Sequence, residues 1–253
     1  MKKILAALLL TATTAGVASA NMTGFYVGVG AVTGSTTAKY NDQANTTPPA
    51  GLLVFAGQTV KNDSGKTMFG GRIEAGYGMT FAGCGWFGVG VYATILNTKM
   101  TLNDNLGSPS TLEFMRQTRA VLKNKYNYGL EFKLGYHFTK DTVGFVGVAA
   151  EAGKYTLEWT QVSQLGNGTL RPTLKSSKTK VYAKPVIGVR TTGLGGNRNL
   201  FLEAKYGYGF ANRVTLNVPV DRDGAFTQAE TNGRRVSARP RTHEFAVTLG
   251  WRF

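Results

Sequence analysis

The sequence predicts an all-β fold, an eight-stranded antiparallel up-and-down transmembrane β-barrel. Three observations predict it. Eight stretches alternate residue by residue between apolar side chains and glycine or polar ones, which is the period of a strand. The connections between these stretches are alternately short and long. The chain also opens on an export signal: Met1-Lys2-Lys3 is basic, Ile4 to Val17 is mostly apolar, and Ala18-Ser19-Ala20 is a small-residue cleavage site. The apolar run is shorter than the roughly 20 residues a spanning helix needs, and threonines interrupt it. Residues 1–20 therefore read as a cleaved signal peptide, and residues 21–253 as the barrel with four long extracellular loops. No cysteine follows the cut, which argues against a lipid-anchored lipoprotein.

The first stretch, Gly24 to about Thr33, sets Phe25, Val27, Val29 and Ala31 against Gly28 and Gly30. The second, Thr67 to Thr80, opposes Phe69, Ile73, Ala75, Tyr77 and Met79 to Gly70, Arg72, Glu74, Gly76 and Gly78. In the third, Trp86 to Leu96, Phe87, Val89, Val91, Ala93 and Ile95 face away from Gly88, Gly90, Tyr92 and Thr94. The fourth alternates without a miss from Tyr126 to Phe138, with Glu131, Lys133 and His137 on its polar side. The fifth, Thr142 to about Thr156, turns Val146, Val148, Ala150 and Ala152 outward and Glu151 inward.

In the sixth, Lys178 to Thr191, Val181, Ala183, Pro185, Ile187 and Val189 oppose Lys180, Tyr182, Lys184 and Arg190. Pro185 lacks a ladder donor, so a bulge or frayed pairing is expected there. The seventh, Leu200 to Phe210, opposes Leu202, Ala204, Tyr206 and Tyr208 to Glu203, Lys205, Gly207 and Gly209. The eighth, Thr242 to Phe253, carries Phe245, Val247, Leu249, Trp251 and Phe253 on its greasy side and Glu244 and Arg252 on the other.

Strands of about 10 to 14 residues suit a tilted bilayer crossing. The short joins are Phe81 to Gly85, Thr139 to Asp141 and Thr192 to Asn199; the long ones are Gly34 to Lys66, Asn97 to Lys125, Leu157 to Ser177 and Ala211 to Arg241. This is the up-and-down arrangement, with the termini and short turns in the periplasm and Phe25, Phe87, Tyr136, Phe138, Trp251 and Phe253 near that rim. A soluble barrel would show a polar outer face, and here that face is apolar in every segment.

The opening Gly24-Phe25-Tyr26-Val27-Gly28-Val29-Gly30, the strand spacing and the closing Gly250-Trp251-Arg252-Phe253 resemble the opacity-type surface antigens and the transmembrane domain of outer-membrane protein A. The resemblance implies an outer-membrane location and a surface-antigen or adhesin role. It also implies that the alternating Phe245, Val247, Leu249, Trp251 and Phe253 are read by the barrel assembly machinery. The chain ends at Phe253, so the peptidoglycan-binding role of that family's second domain is not expected.

The polar side of the strands collects Arg72, Glu74, Glu131, Lys133, Glu151, Lys184, Arg190, Glu203, Lys205, Glu244 and Arg252. Eight strands enclose only enough room for side chains, and charges removed from water persist when paired. These residues are therefore expected to form an ionic plug, with a narrow porin-like channel as the alternative. Catalytic readings are weaker. Gly28-Val29-Gly30 has Thr33 where a dinucleotide motif needs its third glycine, and no helix follows. His137, His243 and Cys84 fall on different segments, so no metal or cofactor is expected. A lipid-modifying enzyme would need a serine and an acid beside His243, and none can be brought into register from sequence. The single Cys84 cannot form an internal disulfide.

Of the formal charge of +15, Lys2 and Lys3 of the leader carry two, leaving +13 on the mature chain and pointing to anionic surroundings. The second long connection carries Lys99, Arg116, Arg119, Lys123 and Lys125; the fourth carries Arg213 and Arg222 and the cluster Arg234, Arg235, Arg239 and Arg241. The first instead holds the apolar run Gly51 to Gly57, expected as an extra strand or hairpin above the rim. Basic loops fit lipopolysaccharide phosphates, host polyanions or receptors, with plain solvated charge as the alternative; nucleic acid is not an expected partner. The expectation is thus a non-enzymatic surface barrel anchored in outer-membrane lipid.

Overall fold

The computed structural model describes residues 22–44, 59–104, 117–162, 173–218 and 234–253. The expected leader and the apolar run Gly51 to Gly57 lie outside them. Among the described residues nine strands form one antiparallel sheet: β1 (Gly24–Ala44), β2 (Thr59–Phe81), β3 (Gly85–Asp104), β4 (Gln117–Thr139), β5 (Thr142–Val162), β6 (Leu174–Thr192), β7 (Leu200–Phe210), β8 (Val214–Val218) and β9 (Arg234–Arg252). Sequential neighbours pair from β1 to β7, β7 pairs with β9, and β9 also pairs with β1, which closes the ring.

The nine strands make eight staves. β7 runs along β9 from Leu200↔Trp251 to Phe210↔Arg241, and β8 resumes on the same side of β9 at Val214↔Ala238. Between those rungs one stave spends one more residue than the other, a bulge at which the Ala211 N–H still donates to the Pro240 carbonyl at 3.1 Å. The short turns are those expected. The tight Ala82-Gly83 turn places both residues in the left-handed region, and a short 3₁₀ turn at Leu194–Gly196 joins β6 to β7.

The strands are far longer than their membrane-type segments. β3 has 20 residues, about 66 Å of chain at about 3.3 Å per residue, whereas a bilayer crossing takes about 9–11 residues. Each of the four stretches expected as long loops carries strand toward both of its ends, at residues 34–44 and 59–66, 97–104 and 117–125, 157–162 and 174–177, and 214–218 and 234–241, and this overturns their reading as loop over those residues. The cause is an inversion of polarity. Toward the short turns, outward side chains are apolar, including Val29, Ile73, Val91, Ile95 and Val146. Toward the long connections, outward residues are Thr37, Lys39, Lys99, Thr101, Lys154 and Thr156, while the inward ones form a large apolar core.

That core joins Tyr40, Met100, Leu102, Leu122, Tyr155, Leu157, Trp159, Val214, Leu216 and Val236, among others. A second apolar layer, Met22, Trp86, Val143 and Phe145, fills the interior at the short-turn end, and a third, Val32, Met68, Leu96 and Ala246, lies higher. Glycine makes this filling possible in so narrow a barrel: a Cβ on Gly129 would sit 2.8 Å from the Tyr92 ring, and one on Gly250 would sit 2.2 Å from the Phe201 ring.

Two seams interrupt the ring at the long-connection end. β2 and β3 pair only as far as Gly70↔Leu96, and β6 and β7 only as far as Val186↔Gly207. The second break falls at Pro185. Facing β5, Pro185 stays in an unbroken register opposite Val148, so no bulge forms; facing β7, the ladder stops at the preceding rung. The frayed half of the expectation at Pro185 therefore holds, because the missing N–H affects one neighbour only.

Candidate functional site

Strand alternation carries ten charged side chains into the barrel middle, all buried: Arg72 and Glu74 from β2, Glu131 and Lys133 from β4, Glu151 from β5, Lys184 and Arg190 from β6, Glu203 and Lys205 from β7, and Glu244 from β9. Five are carboxylates and five are cations. Arg72 spans three acids, its Nη1 2.8 Å from Glu244, its Nη2 3.3 Å from Glu131 and its Nε 3.4 Å from Glu74. Lys205 also reaches three, with Nζ 2.9 Å from Glu74, Glu131 and Glu203 alike. Glu203 further receives Lys133 at 2.6 Å and the Arg190 Nε at 2.8 Å.

Glu151 is the other hub. It accepts from the Tyr92 hydroxyl at 2.5 Å, from Asn127 Nδ2 at 2.8 Å, and from Tyr182 and Lys184; Lys184 in turn reaches Glu244 at 3.1 Å. Aromatic faces complete the shell. The Arg72 guanidinium lies 3.6 Å from the Tyr92 ring centroid, and that of Arg190 lies 4.1 Å from Tyr26 and 4.4 Å from Phe201. Each charge thus has an opposite partner at bonding distance, as burial demands.

Arg252 departs from its expected place. It is half-exposed at the short-turn rim, where its Nη2 donates to the Arg198 carbonyl at 3.1 Å. The last turn of β9 simply emerges from the enclosed zone. His137 is an inward residue with Nε2 3.3 Å from the Thr80 hydroxyl, and Cys84 is half-buried in the β2–β3 turn. His243 points outward, its Nδ1 2.6 Å from the Tyr206 hydroxyl and its ring 4.9 Å from that of Tyr208. Among the described residues no group of His, Cys, Asp and Glu is placed to hold a metal ion.

The arginine cluster is corrected from loop to strand. Arg234, Arg235, Arg239 and Arg241 belong to β9 and pair with Ala44, Gln43, Lys39 and Thr37 of β1. Arg235, Arg239 and Arg241 share the exposed outer face, and the side chain of Arg234 lies outside the described residues. Strand alternation aligns three guanidinium groups in a row on one rigid stave. Lys39 on β1 and Lys123, Lys125 and Lys154 on β4 and β5 continue a cationic collar around the barrel. Glu158 interrupts it, 2.6 Å from Lys123 and 3.8 Å from Lys175. Arg116 and Arg222 lie outside the described residues. At the opposite end, Phe245, Val247, Leu249 and Trp251 stand exposed on the outer face of β9, and Phe253 just beyond the strand is exposed as well.

Sequence reasoning missed the apolar core at the long-connection end. Its signal was present in Tyr155-Thr156-Leu157-Glu158-Trp159-Thr160, which alternates with the apolar side reversed.

No family model and no curated protein matches this chain. Among solved structures the chain is similar to Ail, the attachment invasion locus protein of Yersinia pestis, with 12% identity over 89% of this chain and 99% of that one and a TM-score of 0.31. It is likewise similar to Neisserial surface protein A, with 15% identity over 91% and 97% and a TM-score of 0.32. The outer membrane protease OmpT from Escherichia coli is similar over 91% and 97%, with 9% identity and a TM-score of 0.39. The barrel assignment rests on the chain's own strand register and ring closure.

Proposed function

We propose that this chain is a non-enzymatic outer-membrane surface barrel whose short-turn half is embedded in lipid and whose long-connection half stands in water, presenting its cationic collar to anionic partners. One observation carries the reading: the polarity of both faces inverts part way along the same strands. An apolar outer belt of this extent has no place in water, and the closed ladder meets the demand of a bilayer that every backbone group be satisfied internally. The barrel form and the export signal read from the sequence support an outer-membrane location. The collar suits phosphate and sulfate groups, which are found on lipopolysaccharide and on host polyanions. Phe245 to Phe253 remain the proposed signal to the assembly machinery.

Conduction is disfavoured by the filling of the interior, where a charge-balanced layer lies between apolar ones. Lipid hydrolysis gains nothing from the surroundings of His243, whose ring neighbours are tyrosines.

The test is refolding into vesicles followed by protease digestion and mass spectrometry. A protected core comprising the apolar-belted halves of the strands, gel mobility that changes on boiling, and no step conductance in a planar bilayer are the expected results. Uniform cleavage along the strands would remove the membrane reading, and stable conductance steps would replace the plug with a channel.

A further inference from the structure

Closing a sheet into a barrel normally abolishes its edges, yet β6 keeps one. From Leu174 to Lys184 it pairs with β5 alone, because the ladder to β7 ends at Val186↔Gly207 and Pro185 supplies no donor for the next rung. In an antiparallel strand about every second residue turns its N–H and C=O toward each neighbour, so about half of this segment directs backbone groups into the seam. Across the seam lie the end of β7 and β8, both held from behind by β9. Side-chain contacts span the gap. The Ser176 hydroxyl donates to the Thr215 carbonyl at 3.3 Å, and the Tyr182 ring occupies the space a Cβ on Gly209 would need.

The chemistry along this edge is basic. Lys175, Lys178 and Lys180 follow one another on β6, and Arg213 is exposed at the bulge opposite. Lys178 has the inward phase of Tyr182 and Lys184 but is exposed, so water reaches the inner side of the edge as well as the outer. Glu158 is the one carboxylate within ion-pair reach of these lysines among the described residues, 3.8 Å from Lys175.

We propose that the free edge of β6 between Leu174 and Lys184 is a docking site for an extended acidic peptide, which adds to the sheet as a strand on the β8 side. Main-chain hydrogen bonds to the unpaired edge supply the affinity, and Lys178 and Lys180, which share one face of β6, select carboxylate-bearing side chains on alternate positions, with Lys175 adding positive charge on the other face. A second copy of this chain is disfavoured as the occupant, since joining two such edges would set lysines against lysines. Ladder strands lie about 4.8 Å apart, so the incoming strand must part β6 from β8, and the bond to give way is the Ser176–Thr215 link.

The experiment uses the full chain refolded in detergent micelles and a fluorescent ten-residue peptide of alternating Glu and Val. Fluorescence anisotropy at low salt should show binding that weakens by about tenfold or more when alternate peptide amides are N-methylated, since strand addition needs those donors while the charge is unchanged. The triple variant Lys175→Gln, Lys178→Gln, Lys180→Gln should weaken binding by about tenfold as well. Isotope-labelled peptide carbonyls should shift to the antiparallel-sheet position in the infrared on binding. Equal affinity for the N-methylated peptide, labelled carbonyls that stay at their free-peptide position, or no binding at low salt would each overturn the proposal. The N-methylation and infrared arms need only the wild-type chain, so misfolding of the variant leaves the proposal open to refutation.

Discussion

Within β5, Val146 and Val148 stand outward and Glu151 stands inward; a few residues further on, Thr156 and Glu158 stand outward and Leu157 and Trp159 inward. The backbone phase does not change between the two halves, since odd positions face the interior from Val143 to Trp159. What changes is which phase is apolar. The short-turn half keeps its charges inside and its apolar surface outside, and the long-connection half reverses both. One continuous strand thus meets two solvents, and each half is held by a different force: the first by paired charges in a confined interior, the second by an apolar core of the kind that stabilises proteins in water.

The largest effect expected from this contrast is at Glu203. It meets Arg190, Lys133 and Lys205 at once and is fully buried. Glu203→Ala removes the acid that these three cations share, leaving Lys133 and Arg190 with only the longer contacts to Glu131 at 3.7 Å and Glu74 at 3.8 Å while Lys205 keeps Glu74 and Glu131, and breaking a buried ionic group in this way costs about 3–5 kcal/mol. Urea titration in micelles, followed by tryptophan fluorescence, should show the loss. Retention of wild-type stability would mean that water or ions enter the interior freely, and the plug would then have to be replaced by a wet lumen.

Next in size is a matched pair of leucines. Leu157 is 0% exposed in the apolar core, whereas Leu130 is 39% exposed on the outer belt. Leu157→Ala should cost about 2–5 kcal/mol, the sum of lost burial and the cavity left behind. Leu130→Ala leaves no enclosed cavity, because lipid fills the space, and should cost well under half as much. Comparable losses at the two positions would show that the outer belt is packed against protein, and the contrast between the halves would fail.

The sequence made the short-turn half legible and hid the other. Strand phase, the inward charges from Arg72 to Glu244 and the short turns all follow from alternation with apolar residues outward. The same criterion ends each segment where polarity inverts, so it reads residues 157–162 of β5 as loop although their alternation continues unbroken. Two bulges compounded the difficulty. In β4 the pairing shifts between Asn124 and Asn127, and Lys125 and Tyr126 are both exposed, so the parity of the inward positions switches, even up to Asn124 and odd from Asn127 on. The bulge between β7 and β8 does the same. A bulge is set by cross-strand register, which no single stretch encodes. Arg252 escapes the sequence pattern for a simpler reason: alternation fixes the side of the sheet a residue occupies, and the height at which the enclosed zone ends is a property of the assembled ring.

The smallest effect on stability and the clearest on binding should come from the collar. Arg235, Arg239 and Arg241 stand exposed on a rigid stave, and surface charges with no buried partner contribute about 0–1 kcal/mol. Arg235→Gln, Arg239→Gln and Arg241→Gln together should therefore leave the urea midpoint nearly unchanged. Their alignment at alternate strand positions nonetheless concentrates positive potential in one strip, and a guanidinium binds phosphate or sulfate through a planar pair of donors. Binding of heparin or lipopolysaccharide should fall by about tenfold in the triple variant at low salt. The difference from wild type should vanish as salt shortens the screening length to about 3 Å near 1 M. The same substitutions cannot alter the ionic interior, because these side chains lie on the opposite face of β9 from Glu244. A variant that binds both polyanions as tightly as wild type at low salt would leave the strip as ordinary solvated charge and move the search for a partner to the connections between the strands.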